Sequence, residues 1–196
     1  MSMFVVSIEY HTKTKVKVCL DNRTDFQLYR KEVNKYGIIE GQELECYNEI
    51  LEEVLIPRAK KRALHLLEKM DRTESDIRVK LKNNGYPDDA IDAAIEYVES
   101  YNYINDERYA HTYVRNYCNS RSRKRIMQDL YRKGINKELI NDAIDKEYNV
   151  DEEALIRMYM NKKGYSSDNV SVKDRDKMFR FLISKGFQYD DVQQLI

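Results

Sequence analysis

A chain of 196 residues is enough for one or two ordinary domains or for a short array of small repeats. With 42% hydrophobic and 35% charged residues, it is too apolar to stay disordered and too charged for one thick globular core. Lys and Arg together number 34, as do Asp and Glu, and that neutrality speaks against a protein living by non-specific DNA binding alone.

Val5–Ile8 and Val16–Leu20 are β-rich runs with partial alternation, joined by a turn over His11–Lys15, and Phe26–Tyr29 adds a short third strand. A hairpin of this size is marginal alone and must pack on something. Helices are expected near Arg30–Tyr36 and Gln42–Ile56, with Gly37 and Gly41 as punctuation. Pro57 stands where a new helix can begin.

From Arg58 onward the sequence repeats. Gly85, Gly134 and Gly186 are preceded at four residues by Leu81, Leu130 and Leu182, and at eight by Ile77, Ile126 and Met178. Tyr86, Ile135 and Phe187 follow at once, then Ile91, Ile140 and Val192, then Ile95, Ile144 and Ile196. Five aligned apolar positions in three copies, at offsets of 49 and 52 residues, mark an internal repeat. In each copy a glycine stops one helix, and Asp88, Asn136 or Asp190 caps or charges the start of the next. Thr73 with Asp76 resembles a capping box. A further helix lies upstream of each pair, at Arg58–Lys69, Asp106–Cys118 and Asp151–Lys162.

The expected fold is therefore mostly α: three tandem three-helix repeats in an elongated array, behind a small N-terminal β-hairpin and helical segment. The expected boundaries are 1–57 for that segment, then 58–104, 105–149 and 150–196 for the repeats. Units of this size bury little alone, so neighbours are expected to stack.

Catalytic chemistry is not indicated. His11, His65 and His111 stand far apart, with no neighbouring nucleophile or metal-ligand spacing, and read as satisfied surface or core histidines. Cys19, Cys46 and Cys118 fit neither a disulfide framework nor a zinc pattern. Phosphate loops and dinucleotide fingerprints are lacking, so no enzyme, cofactor or metal is expected. The start, Met1–Val6, has neither the basic residues nor the apolar run of a signal peptide, and no stretch approaches the roughly 20 apolar residues of a membrane span. A cytoplasmic chain is expected.

Charge is uneven. Residues 105–149 carry 10 basic against 7 acidic side chains, the one segment with a basic surplus. Within it Arg121, Arg123, Lys124, Arg125, Arg132 and Lys133 flank a single acid, Asp129. Cations near a helix start oppose its dipole, and without acidic partners they point to an anionic target. A second patch, Arg58, Lys60, Lys61 and Arg62, opens the first repeat, where its stems also suit covering apolar surface. Tyr97, Tyr101, Tyr103, Tyr109, Tyr113 and Tyr117 concentrate nearby; most are expected to pack, and exposed ones beside arginine suit an interface or base stacking.

Three segments, Leu67–Gly85 (LEKMDRTESDIRVKLKNNG), Ile104–Ala110 (INDERYA) and Arg125–Ile135 (RIMQDLYRKGI), resemble RecX proteins. So does the KYG-x-x-x-G-x-x-L pattern at Lys35–Leu44, and the likeness covers nearly the whole chain. The resemblance implies a non-enzymatic modulator lying along the groove of the RecA–single-stranded-DNA filament. There it would block filament growth, ATP hydrolysis, strand exchange and co-protease activity, in homologous recombination, DNA repair and the SOS response. It implies contacts to RecA, with weaker binding to single-stranded DNA alone, by a monomer. The filament-binding residues would be the basic cluster at Arg121–Lys133, with Arg58, Lys61 and Arg62. The chain departs from the family at Ser122-Arg123-Lys124, where many members have Gly-Pro, and at Asp76-Ile77 in place of Glu-Leu. The alternative is a stand-alone DNA-binding helical-repeat protein, since three-helix units resemble helix-turn-helix modules.

Overall fold

The computed structural model describes residues 2–166 and 170–196. The chain falls into two compact units, Met1–Asn105 and Asp106–Ile196.

In the first unit, strands β1 (Val5–Tyr10), β2 (Lys15–Leu20) and β3 (Asp25–Tyr29) form an antiparallel sheet in the order β1-β2-β3. Alternation sends Val16, Val18 and Leu20 of β2, with Phe26 and Leu28 of β3, into the core. Helix α1 (Arg30–Lys35) follows directly, and the Glu32 carboxylate accepts the Tyr29 amide at 2.8 Å.

Two expectations fail just beyond. Residues 42–46 are not helical: the Val5 amide donates to the Gln42 carbonyl at 2.9 Å and the Leu44 amide to the Met3 carbonyl at 2.7 Å. The backbone at Met3 and at the start of β1 takes those bonds, leaving those groups of 42–46 none for a helix. Pro57 does not open a new helix either. It lies inside an unbroken helical run made of α2 (Tyr47–Ile50), a π turn (Leu51–Leu55) and α3 (Ile56–Leu67). Proline lacks an N–H and crowds the carbonyl four residues back, and the wider π turn immediately before α3 accommodates both effects.

Helices α4 (Glu74–Asn83) and α5 (Asp88–Ser100) complete this unit. The buried Thr73 caps α4, its hydroxyl accepting the Asp76 amide at 3.2 Å. At the far end Gly85 takes φ +78°, the Tyr86 amide reaches back to the Leu81 carbonyl, and the Gly85 amide bonds Lys82. The Gly85 carbonyl also accepts the Gln27 amide at 2.9 Å, and a Cβ there would stand 2.5 Å from Gln27 Cγ. The sheet thus shares one continuous core with α3–α5, in which Val18 and Phe26 join Ile77, Leu81, Ile91 and Ile95.

The second unit holds two three-helix groups. Helices α6 (Asp106–Tyr117), α7 (Arg123–Arg132) and α8 (Lys137–Glu147) enclose Val114, Ile126, Leu130, Ile140 and Ile144. Helices α9 (Glu152–Lys162), α10 (Val172–Ser184) and α11 (Tyr189–Leu195) enclose Ile156, Leu182, Phe187 and Val192. Helix α10 has 13 residues against 10 in α4 and α7, so its cap, Ser171, stands a turn earlier relative to the terminating glycine. Asn136 caps α8, accepting the Leu139 amide at 2.9 Å. Asp88 and Asp190 lie within the first turns of α5 and α11, where they add negative charge and do not cap. Among the described residues, no helix is long and apolar enough to cross a membrane.

Candidate interaction surface

The basic cluster sits on and just before α7. Ser122, fully buried, caps that helix by accepting the Arg125 amide at 3.2 Å. The expectation of cations lacking acidic partners is overturned here. Asp129 is only 8% exposed, and Arg121 (2.7 Å), Arg125 (3.3 Å) and Arg132 all pair with it. A buried carboxylate needs such company, and three guanidinium forks satisfy its lone pairs. Arg123 pairs with Asp145 at 2.8 Å, and its amide donates to Glu152 at 2.6 Å. Glu152 also accepts the Tyr148 hydroxyl at 2.9 Å; burial, then that carboxylate, push the phenol well above its usual pKa. The partners Asp145 and Glu152 lie 22 and 29 residues away in sequence, which hid them from local pattern reading. Lys124 makes no ion pair or ring contact among the described residues.

Beside this cluster runs an aromatic ladder. Tyr109, Tyr113 and Tyr117 recur every four residues along α6, so they share one face, with ring centroids 6.2 and 4.5 Å apart. The Arg121 guanidinium lies 4.0 Å over Tyr117 and donates to the Tyr113 hydroxyl at 2.6 Å. The Lys133 ammonium stands 5.4 and 5.7 Å over Tyr109 and Tyr113. Burial, then the Asp129 charge, raise the Tyr113 pKa, so this phenol stays neutral in the site. Between α7 and α8 lies an open concavity of about 560 Å³, lined by Arg125, Gln128, Tyr131, Arg132 and Ile140. Tyr131 is 72% exposed at its edge.

The patch at the start of the first repeat is more structural. Arg58 forks onto Glu32, with one contact at 2.9 Å, and lies 4.7 Å over the Tyr29 ring. Burial opposes ionisation of Glu32, yet the Arg58 bonds and the Tyr29 amide prevail and hold its carboxyl below the usual range. Arg62 donates to Asn84 Oδ1 at 2.8 Å, and Lys60 lies 5.1 Å over Tyr97. Tyr101 meets Tyr97 at a 58° tilt and stacks on Tyr103. Lys61 has no ion pair or ring contact among the described residues. Elsewhere, Glu107, His111 and Asp142 converge across α6 and α8 in a way the sequence spacing does not reveal.

Glycine-stopped three-helix units behind a small antiparallel sheet define a mostly helical class of protein. The model of the first three-helix domain of RecX matches residues 59–97, and that of the second matches residues 105–144. The regulatory protein RecX of Clostridium perfringens is 30% identical over 97% of this chain and 92% of its own length. That of Clostridium beijerinckii is 31% identical over 99% and 93%. The crystal structure of RecX from Lactobacillus salivarius aligns with 71% of this chain and 92% of its own at 27% identity and a TM-score of 0.56. A further crystal structure of a regulatory protein RecX shares the fold over 98% of both chains, at 24% identity and a TM-score of 0.58. This chain belongs to the RecX family.

Proposed function

We propose that this protein binds the RecA–single-stranded-DNA filament and restrains it, lowering ATP hydrolysis, strand exchange and co-protease activity. In that role it acts in recombination, repair and the SOS response as a non-enzymatic, monomeric, cytoplasmic regulator. The observation that carries the reading is the Asp129 hub. It holds three arginines in fixed directions beside a tyrosine ladder, a surface ordered before binding and chemically mixed. Ordered side chains lose little entropy on association, and guanidinium forks suit both phosphate and carboxylate. A filament of protein and DNA presents both groups, which fits the neutral total charge better than naked nucleic acid does.

The repeats 58–104, 105–149 and 150–196, behind the segment 1–57, are proposed to lie end to end as an elongated array. That form gives a long surface suited to a groove. Arg121, Arg123, Lys124, Arg125, Arg132 and Lys133, with Arg58, Lys61 and Arg62, are the proposed contact residues. Anisotropy of a labelled single-stranded oligonucleotide, with and without RecA, tests the reading. Tight binding only in the presence of RecA is expected. Equal affinity without RecA, falling steeply with salt, would mark a stand-alone DNA-binding protein instead.

A further inference from the structure

Away from the Asp129 hub, His111 on α6 is held between two carboxylates. Its Nδ1 lies 2.9 Å from Glu147 Oε1 and its Nε2 lies 3.1 Å from Asp142 Oδ2. A neutral imidazole has one N–H and one lone pair, so it satisfies only one of these oxygens; both are satisfied when the ring carries two protons or when a cation stands at the second nitrogen. Glu147 is fixed by Arg115, whose Nη1 lies 3.1 Å from the same Oε1. In the neutral ring that donates Nδ1–H to Glu147, the Nε2 lone pair faces Asp142, where a cation can stand. A carboxylate behind an imidazole in this manner sets the tautomer and raises the basicity of a metal-binding histidine.

The remaining ligands are in place. Glu107 precedes His111 by four residues, one helical turn, and therefore shares its face of α6. Asp142 comes from α8 opposite. One ligand atom from each of Glu107, His111 and Asp142 lies within 4.8 Å of the others, a spacing that closes around one ion at ligand distances of about 2 Å after small side-chain shifts. We propose that Glu107, His111 and Asp142 bind a divalent transition-metal cation of the zinc type, with Glu147 orienting the imidazole and water completing the coordination. One nitrogen and two oxygens suit zinc over magnesium, which prefers oxygen alone. The ion would tie α6 to α8 within the second three-helix domain. Lys146, now 2.7 Å from Asp142, competes for that carboxylate, and its exposed ammonium must swing away when the ion enters.

Titrating the full chain with Zn2+ by calorimetry tests this, with Co2+ absorption reporting the coordination. One bound zinc per chain is expected, together with a rise in Tm on zinc addition. Asp142→Asn and Glu107→Gln alter more exposed ligands than His111→Ala does, so they keep the test interpretable should the histidine variant unfold. Each should weaken zinc at least about tenfold and remove the Tm rise, whereas His65→Ala should leave both intact. Absence of zinc binding, equal affinity in the Asp142 and Glu107 variants, or displacement by a modest excess of Mg2+ would overturn the site. None of these readouts involves RecA, so the outcome stands apart from the regulatory reading.

Discussion

The Ser122 hydroxyl donates to the Lys185 carbonyl at 2.8 Å while its oxygen accepts the Arg125 amide at 3.2 Å. One buried side chain therefore starts α7 and fastens the end of α10. The next residue, Gly186, has φ +90°, and a Cβ there would stand 2.7 Å from Ser122 Oγ. The glycine that stops α10 is thus also what lets it approach the start of α7.

Ser122→Ala should remove the cap and leave the Lys185 carbonyl without this donor. A loss of about 2 kcal/mol is expected in urea unfolding of the second unit. A change within a few tenths of a kcal/mol would mean the contact contributes nothing.

Asp129→Asn should have two effects of opposite kind. Losing charge-assisted bonds from three arginines should cost about 2 kcal/mol of stability. The released guanidiniums should raise affinity for single-stranded DNA without RecA and steepen its salt dependence. Unchanged DNA affinity in a folded variant would place α7 away from the nucleic acid.

Lys124 offers a cleaner probe of the filament contact than its neighbours. Arg121, Arg123 and Arg125 are tied to Asp129 and Asp145, so replacing all of them perturbs the fold as well as the surface. Lys124→Glu should leave helicity unchanged by circular dichroism and weaken filament binding several-fold. Full binding by that variant would move the contact to another face.

The Glu32–Arg58 pair makes acid sensitivity a property of the first unit. Because Glu32 is more acidic folded than unfolded, its contribution is complete above the ordinary glutamate pKa of about 4.3 and vanishes as pH falls through its depressed folded value. Glu32→Gln should therefore flatten the stability curve of this unit below about pH 4.3, measured by thermal unfolding across pH. Parallel curves for the two proteins would contradict this.

The helical pairs were readable because each depends on local rules. A left-handed stop at Gly85, Gly134 and Gly186, with apolar residues one and two turns earlier, is written in consecutive residues. Ile77, Leu81, Ile126, Leu130 and Leu182 are buried, as are Ile91, Ile140 and Val192. Tyr86, aligned with the buried Ile135 and Phe187, and Ile196, aligned with the buried Ile95 and Ile144, are only half-buried. What escaped depends on distant partners. Residues 42–46 yield their helical pattern to backbone near Met3 and Val5, and Pro57 is absorbed by a π turn. Arg123 looked free because Asp145 arrives only through the fold, whereas Asp129 lies within eight residues of Arg121, Arg125 and Arg132 and is reached at helical spacing by the last two. His111 looked isolated because Asp142 and Glu147 lie on another helix.

The central claim is best tested by titrating the purified chain into RecA turning over ATP on single-stranded DNA. Hydrolysis should fall progressively, at ratios of regulator to RecA at or below one. A rate unaltered up to equimolar protein would contradict the account.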